Sequence, residues 1–360
     1  MWAVGNTSVD DPRPERVLII VAGIVLAWTT LAGTVTAAFV GWYAVLIAFA
    51  ERLTKSPLDD YSDVLRATRE ALDVVMREGG NPYTHVMTTT YPIGSPFPYP
   101  PGEFLFYLPA YLLFDDITRV DVASSVVITA CIVLVGLRVG FDRVVLPAML
   151  YATWLYSSFH AVDGSNDTSA ALLVVVAITL LALYERWPRG WLLVVSAVSF
   201  GWAVAFKQFA VFLLVPVVRY LAGRGPWRPY LGLAAGTTAA FALPFFARDP
   251  LAFVGQQAAA LTFHTERSGI NVAGALAGIG IDPPSAAFTT LEVAAAAVLL
   301  VLSAIVPART LGRATLLGAG ALAIVILIAP WTSQGYWLYL GSVGLLGIAL
   351  LDGRDQALPA

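Results

Sequence analysis

Residues 17–50 read VLIIVAGIVLAWTTLAGTVTAAFVGWYAVLIAFA, a run without one charged side chain. As a single helix it would be roughly 51 Å long. That is too long for one crossing of a bilayer core of about 30 Å and short for two crossings with a turn. It also far exceeds the apolar core of a secretory signal, so no cleavable leader is expected. The same character continues along the chain. Of its 360 residues, 58% are hydrophobic and 12% charged, and the mean hydropathy is +0.75. Soluble domains carry about 25% charge, so this chain cannot cover a water-facing surface of its size. Lipid excludes open sheets. The expected fold class is therefore an all-α integral membrane protein, with about ten transmembrane helices in one polytopic domain over 1–360.

Charge placement orders the spans. With 17–50 as one crossing and 103–114 as none, the remaining apolar runs are 120–138, 144–161, 168–184, 190–206, 208–222, 230–246, 288–306, 314–330 and 337–351. On this parity Arg138, Arg143, Arg186, Arg189, Arg219, Arg224, Arg228, Arg309 and Arg313 share one side with both termini. The short loops opposite contain only one basic residue, Lys207. By the positive-inside rule the arginine side is cytoplasmic. A crossing at 103–114 would scatter the arginines, so that stretch is expected to lie half-embedded on the outer face.

Two long loops then lie outside, 51–119 and 247–287. In the first, Ser56-Pro57 reads as a helix start. Tyr61, Val64, Leu65, Thr68, Leu72, Val75 and Met76 follow at helical spacing. The expectation is an amphipathic surface helix of about 20 residues, stopped by Gly79-Gly80, lying on the membrane or on the bundle. After it comes YPIGSPFPYPPGEF (91–104), whose five prolines favour stiff, extended backbone.

The residues able to carry chemistry collect on this outer side. Asp59 and Asp60 are either helix-start carboxylates complementing the macrodipole or a general base just outside the membrane. Lys207 is one of two lysines in the chain, against 19 arginines. It either snorkels from a turn or offers a cation to an anionic group at membrane depth, with Gln208 as a further donor. In HAVDGSNDTS, Asn166 or Asp167 suits a helix cap, while His160, Asp163 and Asp167 together could line a cavity. His264, Glu266, Arg267 and Asn271 cluster in TFHTERSGIN, by default a solvated loop. In WTSQGYW (331–337) the rings suit an aromatic belt and Gln334 is a candidate ligand. Cys131, the lone cysteine, reads as a small core residue. No metal-ligand spacing, P-loop, GxSxG, HExxH or dinucleotide fingerprint occurs. The net charge of −3 argues against nucleic acid.

The layout resembles the GT-C superfamily of polytopic glycosyltransferases. A first span precedes a long outer loop with an early acidic pair, DDY at Asp59–Asp60–Tyr61. Then come GGNPYTH, PYPPGEFLFYLP opening a surface helix, GSNDTSAALL, and FKQFAVFLLVP before a short span. Among subgroups the chain looks most like glycosyltransferase family 87 and its polyprenol-phosphate-mannose-dependent relatives. The resemblance implies sugar transfer on the outer face from a polyprenyl-phosphate-sugar donor to a lipid, glycan or protein acceptor. It implies Asp60, or Asp59, as the base and Lys207, Gln208, Arg267 and His264 at the donor phosphate. It further implies Tyr83, Tyr99, Asp163, Asn166, Asp167 and Gln334 around the substrate cavity. No definite cofactor is called for, and a divalent cation, Mg or Mn, is left open. The rival classes are a lipid or solute transporter or flippase, for which no internal repeat is evident, and a noncatalytic envelope-assembly protein.

The sidedness is directly measurable. In a chain lacking Cys131, Thr84→Cys should react with a membrane-impermeant maleimide on intact cells, and Arg189→Cys only after permeabilisation. Labelling of Arg189→Cys in intact cells would invert the assignment.

Overall fold

The computed structural model describes residues 34–54, 62–90, 93–259, 269–281 and 284–351, and every element among them is a helix. The first is α1 (Thr34–Thr54). Two helices between the first and second apolar runs follow, α2 (Asp63–Met76) and α3 (Gly102–Phe114). Then come α4 (Val120–Leu134), α5 (Gly136–Val139), α6 (Phe141–Thr153) and α7 (Leu155–Phe159). Next are α8 (Asp167–Arg186), α9 (Gly190–Phe206) and, after a short turn at Gln208–Ala210, α10 (Val211–Ala222). The chain continues through α11 (Trp227–Phe246), α12 (Pro250–Ala259) and α13 (Val272–Gly278). It closes with α14 (Ser285–Ile305), α15 (Leu311–Ile328) and α16 (Gln334–Ala349).

By length and composition five stretches can cross a membrane: Val120–Val139, Asp167–Arg186, Trp227–Phe246, Ser285–Ile305 and Leu311–Ile328. α14 exposes Leu291, Val298, Val301, Leu302 and Ile305. An apolar flank of that kind is stable against lipid and not against water. The protein is an all-α integral membrane protein. α8 is its central post, packed against α4, α9 and α16 and buried along most of its length.

Three sequence expectations change in detail. The run 144–161 is not one helix: it breaks at Trp154, whose backbone is extended. The break exposes the carbonyls of Tyr151 and Ala152, and lipid offers them no donor. Arg52 donates to both, at 3.2 and 2.6 Å, and the Ser157 hydroxyl shares the Tyr151 carbonyl at 2.6 Å; Arg52 also donates to Ser157 at 2.6 Å and to Ser125 at 2.8 Å. Arg52 is itself only 1% exposed, within α1. The first helix thus runs through Glu51 and Arg52 to Thr54, beyond the expected end of its apolar run. Third, the amphipathic helix starts later than expected, at Asp63, with Ser62 as its cap accepting from the Val64 N–H at 3.2 Å. The expected cap at Ser56 lies outside the described residues.

α2 packs on α3, where Thr68 from its buried face donates to Glu103 at 2.6 Å and Asp73 at its edge accepts from the Tyr111 hydroxyl at 2.6 Å. α3 packs on α9 and α11. At its start Gly102 lies so close to Ala205 that an added Cβ would fall 2.6 Å from that residue's carbonyl. Trp202 donates to the Gly102 carbonyl at 2.8 Å and locks the contact.

The turns gather into two groups at opposite ends of the spanning helices. Arg138 pairs with Glu185 at 2.5 Å, Tyr220 donates to Glu185, and Arg224 donates to the Arg309 carbonyl at 3.0 Å. These bonds join four arginine-bearing turns. At the other end Lys207 meets Asp167, and Asn271 donates to Thr332 at 3.3 Å.

Close helix crossings rest on small residues, as expected where lipid supplies no hydrophobic drive between helices. At Gly201 on α9 an added Cβ would collide with the Ala234 carbonyl of α11 and lie 2.7 Å from Thr237 Cβ. Gly201→Val should lower stability by about 1–3 kcal/mol, whereas Gly236→Val, with open space around that position, should change it little. Thermal unfolding in detergent compares the two; equal melting points would remove this crossing from the packing scheme.

Candidate functional site

The end of the bundle that holds Lys207 is built around a break in the backbone. α9 stops at Phe206, Lys207 is extended (φ −148°, ψ 121°), and the chain re-enters helix at Gln208. The break turns the Lys207 side chain under α8. Its ammonium donates to Asp167 Oδ1 at 2.5 Å and to Asn166 Oδ1 at 3.1 Å. The rings of Tyr336 and Tyr99 stand 5.0 and 5.8 Å from it. Lys207 is 5% exposed and Asp167 2%. An ammonium has three donors, so two are committed here and one is left for a further acceptor.

Asn166 precedes α8 in the left-handed region (φ 58°) and makes no capping bond with its side chain. Its amide points into the site instead. The oxygen accepts from Lys207, and the nitrogen donates to Glu103 Oε1 at 3.1 Å. Glu103, in the first turn of α3, also accepts from the Thr68 hydroxyl of α2 at 2.6 Å. The outcome is one chain of polar contacts, Thr68–Glu103–Asn166–Lys207–Asp167, linking α2, α3, α8 and the α9 break.

Gly335 completes the enclosure, because any Cβ there would strike the Asp167 carboxylate. Gln334 is half-buried beside it, at the start of α16.

The other expected site residues distribute as follows. Asp59, Asp60, His264 and Arg267 lie outside the described residues. Gln208 is exposed and bonds Gln257 and, at 3.5 Å, the Pro98 carbonyl. Tyr83 is buried among Phe97, Phe245 and Phe253, with its hydroxyl on the Tyr99 carbonyl at 2.7 Å, so it braces the proline loop. Asp163 does not join Lys207. It accepts from the Ser165 N–H at 2.9 Å and pairs with His160 Nδ1 at 2.5 Å. One expectation about Lys207 is corrected: with no acid near it in sequence it reads as an unpaired cation, whereas Asp167, 40 positions away, neutralises it.

Glu103 was missed, because an acid in the first turn of a surface helix reads as a solvated complement to the macrodipole. It is fully buried, and its Oε2 has no partner. Asp121 was missed as well. It starts α4, buried, and accepts from Ser169 at 2.5 Å and Tyr107 at 3.1 Å. An acid inside an apolar span is itself the signal that could have found it.

Two carboxylates outside the spans have opposite electrostatics. Burial dominates at Glu103 and raises its carboxyl to about 7, against the bonds from Thr68 and Asn166 and the attraction of Lys207. At Glu70 on α2 burial also opposes ionisation, but bonds from Thr89, Thr88 and His85 outweigh it and hold the carboxyl at about 2. Glu70 thereby ties the 85–89 loop to α2, with His85 at 2.9 Å and Thr89 Oγ1 at 2.6 Å. Among the described residues no three His, Cys, Asp or Glu side chains gather as metal ligands.

No protein-family model matches this chain, and no curated protein matches it. Among solved structures, that of ArnT from Cupriavidus metallidurans bound to undecaprenyl phosphate aligns with it at 20% identity and a TM-score of 0.48. The alignment covers 92% of this chain and 61% of that one, so the chain spans under two thirds of that protein's length.

The Glu103 shift fixes a pH dependence. Its folded value of about 7 exceeds the ordinary 4.5. The native state therefore holds this proton more tightly, and the stability it contributes is lost as pH rises from about 4.5 through 7. Glu70 acts in the other direction and only below about 4.5. Between pH 5 and 7.5 the melting temperature of Glu103→Gln should therefore fall less than that of the wild type. Parallel slopes would show that Glu103 titrates as in the unfolded chain.

Proposed function

We propose that this chain is a membrane glycosyltransferase that moves a sugar, a hexose such as mannose, from a polyprenyl-phosphate donor to an acceptor on the extracytoplasmic face. The observation that carries the reading is the buried Lys207 ammonium, with one donor uncommitted, walled by Tyr99 and Tyr336 at the outer end of the bundle. The ordered motifs DDY, GGNPYTH, YPPGEF, GSNDTS and FKQF support the same reading. Three of them, YPPGEF, GSNDTS and FKQF, supply Glu103, Asn166, Asp167 and Lys207 of the polar chain, and α2 supplies Thr68. On this reading the arginine-bearing turns and both termini face the cytoplasm.

In the proposed reaction an acceptor hydroxyl attacks the anomeric carbon. The bond from that carbon to the phosphate oxygen breaks, its electron pair stays on the phosphate, and the configuration inverts. The acceptor's proton passes to Asp60, with Asp59 the alternative. The leaving phosphate is already anionic, so it needs charge stabilisation more than protonation. The remaining N–H of Lys207 meets it, and Gln208, Arg267 and His264 complete its shell. Asp167 and Asn166 hold the ammonium in place, and Glu103 sets the direction of the Asn166 amide. Their charges bear on the energetics. Lys207 with Asp167 is a neutral pair, so the phosphate meets one oriented donor and not a bare cation. Positive charge from the second outer loop is required to bind it tightly.

Purified protein incubated with a panel of polyprenyl-phosphate sugars should release polyprenyl phosphate. Lys207→Ala should abolish release, and Lys207→Arg should restore it in part, because a planar fork replaces a point charge. Asp60→Asn should lower the rate by about 10²–10⁴ with little change in melting temperature. An unchanged rate and donor dependence in Lys207→Ala would overturn the phosphate assignment, and full activity in both Asp59→Asn and Asp60→Asn would exclude both as the base.

A further inference from the structure

The opposite end of the bundle holds a pocket that the transfer reading does not use. It is open, has a volume of about 500 Å³, and is lined by Arg138, Tyr184, Glu185, Tyr220, Arg224 and Thr310. These residues come from the ends of α5, α8 and α10 and from the cap of α15, all at one face of the membrane-spanning helices.

Its charge is not balanced. Glu185 is the one carboxylate among the lining residues. It takes Arg138 Nη2 at 2.5 Å and the Tyr220 hydroxyl. Arg224 has no carboxylate among its described contacts. It stacks on the Tyr220 ring at 3.8 Å and donates to the Arg309 carbonyl at 3.0 Å. Two guanidinium groups against one carboxylate leave one net positive charge. The positive end of α15 adds to it, since Thr310 caps that 18-residue helix and lines the same pocket.

Arg138 supplies the second observation. Its side chain is 17% exposed. Its Nη1 is buried and has no hydrogen-bond partner. A buried donor left bare is costly, and native proteins rarely keep one, so a small turn of the guanidinium toward an acceptor in the pocket would be favourable. The surroundings say what depth it comes from: Leu137, Phe141, Trp187 and Trp191 are exposed around the same turns, the belt expected where lipid tails meet headgroups.

We propose that this pocket binds a phosphate-bearing anion, held by Arg138 and Arg224, at the level of the phospholipid headgroups. Basic pockets between spanning helices bind anionic headgroups by this chemistry, and guanidinium forks match phosphate oxygens in pairs. Glu185 competes with the ligand for Arg138, so the site favours a singly charged diester over a dianion. The inference is independent of the transfer reading.

The test is the thermal stability of the full-length protein in neutral detergent, with phosphatidylglycerol, phosphatidylcholine or inorganic phosphate added. Phosphatidylglycerol should raise the melting temperature more than phosphatidylcholine. That excess should fall by at least half in Arg224→Gln, vanish in Arg138→Gln/Arg224→Gln, and persist in Arg228→Gln, whose residue lies outside the lining. Glu185→Gln should enlarge it. Arg224 is exposed, so its single variant should fold even if the double variant does not. A response to inorganic phosphate with the same dependence on Arg224 would name free phosphate as the source of the same chemistry. If neither phosphatidylglycerol nor phosphate stabilises the wild type, or if the excess is the same in Arg224→Gln, the pocket holds no such anion.

Discussion

Burying the Lys207 ammonium at the end of an apolar helix is tolerable because Asp167 stands 2.5 Å away and Asn166 takes a second donor. An isolated charge at that depth would cost several kcal/mol. The pair cannot form unless α9 stops at Phe206 and α8 begins at Asp167, so both helix boundaries answer to one contact. Asn166 adopts a left-handed backbone to present its amide. Gly335 must lack a side chain to let α16 approach the carboxylate. Glu103 reaches the same group from α3 and Thr68 from α2, so the amphipathic helix is drawn onto the bundle by polar contact as well as by its apolar face.

The same economy operates at the Trp154 break. A helix interrupted in lipid strands its carbonyls, and Arg52 answers two of them while bonding Ser125 and Ser157. Among the described residues the buried arginine and the buried lysine, Arg52 and Lys207, each sit beside irregular backbone. Each repairs or exploits the interruption: Arg52 as a planar fork with several acceptors, Lys207 as a point charge with a donor in reserve. This division fits a structural role for the first. Under the proposed function the second is the group whose bonds a ligand remakes.

The two ends of the bundle are built differently. The Lys207 end has long connections, two extra helices and a proline loop clamped by aromatic rings. The arginine end has short turns stitched by guanidinium contacts. A protein whose chemistry lay at mid-depth, alternately open to both sides, would be expected to be more symmetric about its middle. The asymmetry suits a site worked from one face.

The sequence by itself determined that the chain is helical and lives in lipid, because hydropathy and length are summed over many residues and need no knowledge of neighbours. The bounds of most apolar helices from 120 onward were legible within a few residues, the break at Trp154 excepted, and so was the gathering of arginines on one parity, since both follow from spacing along the chain. The sequence pointed to Asn166, Asp167 and Lys207 through the resemblance, and to Lys207 through its rarity. The tertiary structure alone decided that Asp167 neutralises Lys207 across 40 positions, that Asn166 turns inward and does not cap its helix, and that Asp163 pairs with His160. It alone showed Glu103 buried, because the first turn of a surface helix looks solvated until another helix covers it. Such pairings depend on which helix faces meet, and helix packing is set by close contacts among small residues such as Gly102, Gly201 and Gly335, which leave no signature in hydropathy.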